Sequence, residues 1–199
     1  MPRKRDNRTI KVRVIGISGS PRRSGNTDSL LDRALEGALS EGVFIDKVFL
    51  NDLAVRPCQA CGRCHKTGVC GTRDDMADIY KKIERADVVI VASPVYFGTV
   101  TAQLKAMIDR FHGIWVAKNV LKLKRGGKKR AKGYFLSAAG SPDRRIFAHA
   151  RKVVRNFFAT ADIDYAGQLF CASIDEKGSI IGDEKIMKKA FMLGKASVA

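Results

Sequence analysis

The chain has 199 residues, 45% of them hydrophobic, and a formal net charge of +17 from 37 Lys and Arg against 20 Asp and Glu. That is enough chain and enough apolar mass for one domain with a substantial core, which argues against a small scaffold stapled by disulfides. No stretch approaches the eighteen or so apolar residues needed to cross a bilayer, and five cysteines behind the charged start Met1-Pro2-Arg3-Lys4-Arg5 point to a reducing, cytoplasmic setting.

Residues 1–10 read as a basic tail, and a single domain is expected over 11–199. Lys11 to Ile17 alternates and then turns apolar, the pattern of a strand entering a buried sheet. Ser18-Gly19-Ser20-Pro21-Arg22-Arg23-Ser24-Gly25-Asn26-Thr27 follows, too polar to bury a core. Leu30, Leu31, Ala34, Leu35, Ala38 and Leu39 then recur at helical spacing until Gly42 stops the pattern. Strand, polar loop and helix together make an anion site, because a helix N-terminus leaves N–H groups unpaired and carries partial positive charge. The hydroxyls of Ser18, Ser20, Ser24 and Thr27, the Asn26 amide, the Arg22 guanidinium and the backbone at Gly25 would complete the cradle. The spacing matches neither a nucleoside-triphosphate loop nor a dinucleotide fingerprint, so a monophosphate fits better. An ordinary strand-to-helix turn accounts for fewer of these hydroxyls.

A second strand is expected over Phe44 to Asn51. Beyond it, Cys58, Cys61, Cys64 and Cys70 place four of the five cysteines within thirteen residues, spaced C-x2-C-x2-C-x5-C. Thiolates so close in sequence can wrap a compact iron-sulfur core, and a fourth can close it. Spacing alone leaves tetrahedral zinc and an empty or redox-active thiol loop open. If the sheet is parallel, this loop opens at the carboxyl ends of the strands, where α/β sheets bind ligands.

Asp74 and Asp75 are expected to cap a helix through Ile79 and Ile83. Asp87 to Ala92 is an apolar strand, ending in the aromatic turn Ser93-Pro94-Val95-Tyr96-Phe97-Gly98, which suits a planar ring system. A helix over Thr101 to Arg110 turns Leu104, Met107 and Ile108 inward. Lys118 to Lys132 carries eight basic residues and reads as an irregular, solvated excursion, with no acid anywhere between Asp109 and Asp143. Gly133 to Ala139 is a fourth strand, Arg144 to Ala161 an amphipathic helix, Tyr165 to Ala172 a fifth strand and Asp183 onward a last helix. Alternating β and α elements predict a doubly wound parallel α/β sheet. His65, His112, His149 and Cys171 read as loop, helix-flank or core residues.

Gly16 to Arg22, Ser24 to Thr27, Ser93 to Gly98, Leu104-Lys105-Ala106 and Ile108-Asp109-Arg110 resemble the flavodoxin-like NAD(P)H-dependent FMN reductase family. With Cys58, Cys61, Cys64 and Cys70 the resemblance narrows to its iron-sulfur flavoprotein branch. It implies a five-stranded parallel sheet in the order 2-1-3-4-5 with the cysteine-rich loop inserted after strand 2. It further implies FMN with its phosphate on Ser18 to Thr27, its rings against Pro94, Val95, Tyr96, Phe97 and Gly98, and Ala139, Gly140 and Ser141 on the far side. A [4Fe-4S] cluster would be held by the four cysteines. Members look like homo-oligomers, dimers or tetramers, in which one subunit's cluster faces a neighbour's flavin. They are similar in taking electrons from ferredoxin and in passing them to small acceptors such as oxygen or peroxide. An acidic ferredoxin-like donor would suit the basic surface. Two rivals stand beside this reading. One is a cluster-free NAD(P)H-dependent FMN or quinone reductase, and the other a zinc-containing basic module that binds nucleic acid, disfavoured because no aromatics interleave the lysines.

Overall fold

The computed structural model of the protein describes residues 12–123 and 130–199. Five strands, β1 (Arg13–Ser18), β2 (Phe44–Phe49), β3 (Val88–Ala92), β4 (Ala131–Ala138) and β5 (Ile163–Cys171), pair in parallel in the order β2-β1-β3-β4-β5. The order matches the expected one. Among the described residues seven α-helices connect and flank them: α1 (Asn26–Leu39), the single turn α2 (Cys64–Thr67), α3 (Met76–Arg85), α4 (Ala102–Arg110), α5 (His112–Asn119), α6 (Phe147–Thr160) and α7 (Glu184–Ser197).

Side-chain alternation sorts the central strands onto two cores. Ile15, Ile17, Val89 and Val91 face the layer of α3, α4 and α6, meeting Ile79, Leu104, Val154 and Phe157. Val14, Val88, Ile90 and Ala92 face the opposite layer, where α1 and α7 supply Leu30, Leu31, Ala34 and Ala190. The two helices of that layer touch backbone to backbone. A Cβ built on Gly194 would lie 1.7 Å from the Ala34 carbonyl oxygen, and one on Gly37 would lie 2.0 Å from that of Phe191.

Several local expectations need correction. β2 ends at Phe49, where Leu50–Asp52 tightens into a 3-10 turn, so the strand is shorter than Phe44 to Asn51. Leu39 is 57% exposed, so it lies off the buried face of α1. Asp75 caps nothing with its side chain and instead accepts from the Ala54 N–H at 2.7 Å. Asp74 does accept from Met76 N, at 3.2 Å. α5 was not expected, since its short sequence has little amphipathic pattern.

The basic run is less irregular than its composition implied. Lys118 lies in α5, ion-paired with Asp162, and Lys132 lies in β4 and donates to the Ala199 carbonyl at 2.8 Å. Arg130 pairs with Asp164 at 2.9 Å. Lys122 follows α5 with φ of +54°, and Lys124, Arg125, Lys128 and Lys129 lie outside the described residues, as do Lys11 and the expected basic tail over 1–10.

Candidate functional site

The candidate residues gather in two separate cavities, one on the loops after β1, β3, β4 and β5 and one beside the junction of α4 and α5, so the cysteine loop does not share the first cavity's loops as expected. The first begins where β1 gives way to α1. Ser20, 3% exposed, donates its hydroxyl to the Arg22 carbonyl at 3.0 Å and accepts from the Arg22 N–H at 3.1 Å, which folds the chain into a tight turn. Ser24 has φ of +54° and donates its N–H to Asp28 at 2.9 Å. Gly25 then enters α1 as its N-cap with no side-chain cap, so the first-turn N–H groups stay open to an anion. Asp28 beneath them is ion-paired with Lys47 at 2.8 Å. Burial works against the Lys47 charge, but Asp28 and Asp32 outweigh it and hold its pKa above the ordinary lysine value.

This cavity, of about 130 Å³, is lined by Ser20, Arg22, Gly25, Asn26 and Thr27 from the first loop. Pro94, Val95 and Tyr96 line it from the loop after β3, and Ala138, Ala139 and Gly140 from the end of β4 and the loop beyond. Three loops far apart in sequence thus meet in one place. No hydrogen bond or ion pair among the described residues engages the Arg22 guanidinium or the Thr27 hydroxyl. Other expected residues lie off the lining. Ser18 is fully buried with its hydroxyl unpartnered, and Ser24 points elsewhere. Ser141 is likewise outside, its carbonyl accepting from Ser173 N at 3.1 Å and its hydroxyl from Asp143 N at 3.2 Å. Phe97 and Gly98, at φ of +49° and +77°, form the tip of a tight turn closed by paired Tyr96 and Thr99 backbone bonds of 2.9 and 3.1 Å. Phe97 projects fully into solvent, while Tyr96 at 41% exposure stays on the rim.

A fourth wall was missed by reading the sequence. Ile174, Asp175 and Lys177, in the segment after β5, also line this cavity. They are fixed by Ile174 N donating to Ala139 O at 2.9 Å, and by Asn26. The Asn26 amide donates to the Glu176 carbonyl at 2.8 Å and accepts from Ile180 N at 3.3 Å. Asn26 is therefore a latch on this segment rather than a free donor. The available signal was topological, since β5 must also end on the ligand face.

The second cavity, of about 210 Å³, is lined by all four clustered cysteines. Cys58, Cys64 and Cys70 are half-buried and Cys61 is exposed; none is in a disulfide. The loop turns through positive φ at Ala60, Gly62 and Gly68, and it packs on α5. A Cβ on Gly68, whose φ is +75°, would come within 2.7 Å of Ala117 Cβ, so that close approach requires glycine, and one on Gly113 would make a tight contact of 3.3 Å with Cys70 N. Burial pushes the Cys64 thiol up, and the Cys70, Cys58 and Cys61 sulfurs add to that. For Cys70 burial also works upward, but the Thr72 backbone N–H and the Arg110 guanidinium outweigh it and hold the thiol below its ordinary value. Two histidines stand beside the set, His65 and His112, with ring centroids 5.8 Å apart. His112 stacks on Trp115. Cys64, His65 and His112 bring their ligand atoms within 4.8 Å of one another. The two cavities share no lining residue.

Sheet order, the uncapped α1 and an aromatic turn at the same sheet edge define a flavodoxin-like α/β protein. Residues 12–162 match the family described as NADPH-dependent FMN reductase. The chain belongs to that family, on its iron-sulfur flavoprotein branch. It is 42% identical over 130 residues to an iron-sulfur flavoprotein of Methanosarcina thermophila, covering 65% of this chain and 64% of that one. It is 46% identical over 99 residues to an iron-sulfur flavoprotein of Methanocaldococcus jannaschii, covering 50% and 51%. The match thus spans less than two thirds of the length of these relatives. Among solved structures, an NAD(P)H:quinone oxidoreductase from Methanothermobacter marburgensis superposes with a TM-score of 0.64 at 15% identity, over 93% of this chain and 96% of that one. A flavone reductase reaches 0.70 at 18% identity, over 94% and 62%. At such identities these structures speak to fold alone. Among the described residues no helix is long and apolar enough to cross a membrane.

Proposed function

We propose that this protein is an FMN-dependent oxidoreductase that takes electrons from an acidic, ferredoxin-like donor and delivers them to a small acceptor such as oxygen, peroxide or a quinone. FMN would be held in a single domain over 11–199 at the first cavity, and a [4Fe-4S] cluster by Cys58, Cys61, Cys64 and Cys70. The observation that carries the reading is the convergence of four unpaired cysteines on one cavity of about 210 Å³.

The donor set fits a cluster better than zinc. Tetrahedral zinc at about 2.3 Å from each sulfur holds its sulfurs about 3.8 Å apart. Among the described residues the one group of three or more candidate ligands with all atoms within 4.8 Å is Cys64, His65 and His112, which contains a single cysteine. No three of the four cysteine sulfurs lie within 4.8 Å of one another, so they are not drawn in around a single zinc ion. The first cavity fits a phosphate through the open N–H groups of α1, the Thr27 hydroxyl, and the cations Arg22 and Lys177.

Bound there, flavin supplies one- or two-electron chemistry and a cluster supplies one-electron transfer. The protein's own work is placement. Pro94, Val95 and Tyr96 offer an apolar and aromatic surface for a planar ring, and Ala139 and Gly140 leave room for its other side. A net charge of +17 steers an acidic donor over long range, in a salt-dependent way. The two cavities share no lining residue within one chain, and a homo-oligomer, dimer or tetramer, would let the cysteine cavity of one subunit face the flavin cavity of another.

Anaerobic purification with analysis of iron, sulfide, zinc and flavin tests the proposal. About four iron and four sulfide per chain beside one FMN, with faster reduction by ferredoxin than by NADPH, is the expected outcome. A yellow, iron-free protein reduced rapidly by NADPH would instead be a cluster-free reductase. A colourless zinc protein whose affinity for nucleic acid falls steeply with salt would be a binding module.

A further inference from the structure

Arg110, the last residue of α4, is 1% exposed, and every N–H of its guanidinium has an acceptor. Nη1 donates to Asp74 Oδ2 at 2.6 Å and to the Arg56 carbonyl at 2.9 Å. Nη2 donates to Asp74 Oδ1 at 3.1 Å and to the Thr72 carbonyl at 3.2 Å. The remaining donor, Nε, is directed at Cys70 Sγ at 3.3 Å. Asp74 in turn accepts from Arg56 N at 3.1 Å, so one buried pair ties both ends of the cysteine loop to α4. Among the described residues no side chain donates a hydrogen bond to the sulfur of Cys58, Cys61 or Cys64, which leaves Cys70 distinct within the set.

Clamping the loop needs only the four bonds to Asp74 and the two carbonyls. The fifth has a different consequence. With its charge balanced by Asp74, the guanidinium acts on Cys70 mainly as a directed N–H···S donor. Such a bond withdraws electron density from a ligating sulfur, which favours the reduced state of the metal core it holds. A lysine cannot reproduce this, because its three donors radiate from one nitrogen and cannot span Asp74, two carbonyls and a sulfur.

We propose that Arg110 is a positioning and tuning residue for the fourth cysteine ligand, orienting the Cys70 sulfur and raising the reduction potential of the group the cysteines hold. This rests on the cluster reading above. The test compares wild type with Arg110→Lys, both purified anaerobically and analysed for iron, sulfide and FMN, by redox titration followed through the cluster's absorbance and electron paramagnetic resonance. The expected result is a lower midpoint potential in the iron-loaded fraction of the variant. At a fixed ambient potential its reduced-to-oxidised ratio falls about tenfold, which is 59 mV for a one-electron couple. A variant that loads less iron but titrates at the wild-type potential would overturn the proposal, because a purely structural clamp affects occupancy alone. Where the variant does not fold, wild-type protein labelled with 15N-arginine decides. A 15N coupling to the paramagnetic reduced cluster is expected, and its absence refutes the contact. A wild type with no iron or sulfide overturns the cluster reading itself, and this proposal with it, before either measurement.

Discussion

Lys177 offers a sharp test of the first cavity, because nothing in the sequence around it suggests ligand binding. It lines the cavity with Arg22, is exposed, and has no acidic partner within ion-pair distance among the described residues. Replacing it with Gln removes one of two cations from the neighbourhood of the α1 N-terminus and leaves the Asn26 latch untouched. Since the ammonium is exposed, the interaction with a bound phosphate is worth about 1 kcal/mol at low salt, the upper end for exposed ion pairs. That is roughly a fivefold rise in the FMN dissociation constant. Screening shrinks the Debye length from about 10 Å at 0.1 M salt to about 3 Å at 1 M, so the difference from wild type should nearly vanish at high salt. Quenching of flavin fluorescence on titration into apoprotein measures both conditions. Riboflavin, which lacks the phosphate, is the control and should bind Lys177→Gln and wild type equally. Equal weakening for FMN and riboflavin would show that Lys177 supports the loop or the rings, and an unchanged FMN affinity at low salt would show that no phosphate lies near it. Either result refutes the reasoning.

Other parts of the molecule give further expectations. Cys61→Ser should abolish iron retention and reduction by ferredoxin while flavin content stays at the wild-type level; equal loss of flavin would show that the two cavities are not independent. Gly194→Ala places a methyl group 1.7 Å from the Ala34 carbonyl oxygen, so α7 must move off α1. The cost should be about 3 kcal/mol, seen as a Tm roughly 10 °C lower in scanning calorimetry. Cys171 is 3% exposed and burial pushes its thiol up to about 11. Iodoacetamide at pH 8 should therefore modify the four loop cysteines of iron-free protein and spare Cys171, as mass spectrometry would show. Asp74 is subject to burial, which raises its pKa, but Arg110 and the Arg56 N–H prevail and hold the carboxyl below its ordinary value. Its contribution to stability is thus fully present above the unfolded carboxylate range near 3.9 and is lost as pH falls through the lower folded value. The Tm difference between wild type and Asp74→Asn should be flat from pH 5 to 8 and shrink below about pH 4; a gap that grows with acid would reverse the sign.

What could be read from the sequence follows from which interactions are local. β1, β3 and β4 are buried on both faces, so they appear as apolar runs, and their order follows from the alternation with helices. The first loop was legible because polar residues between a strand and a helix have few other uses. Side-chain roles that depend on distant partners were not. Asp74 looks like a helix cap two residues before Met76, yet its main partner is Arg110, 36 positions away. Asn26 looks like a phosphate donor, yet both ends of its amide are spent on a segment about 150 residues downstream. The segment carrying Asp175 and Lys177 has turn chemistry and no ligand signature, and only the parallel topology brings it beside Ala139. Phe97 was expected at the ring site because aromatics in a Pro/Gly-bounded turn suggest stacking, whereas its positive φ turns it to solvent.

The buried pair of Arg110 and Asp74 also bears on the order in which this protein is assembled. Zinc fingers and similar small metal domains are unfolded until the metal arrives, because the ion supplies the cross-links that hold their loops. Here the cysteine loop is closed by a protein ion pair, 1% and 4% exposed, and by bonds to the Arg56 and Thr72 carbonyls. If the cysteines hold a cluster as proposed, these contacts would let the chain fold and accept flavin before any iron is delivered. Loss of iron to oxidants would then leave a folded vessel that can be refilled, rather than a chain that must be degraded and made again.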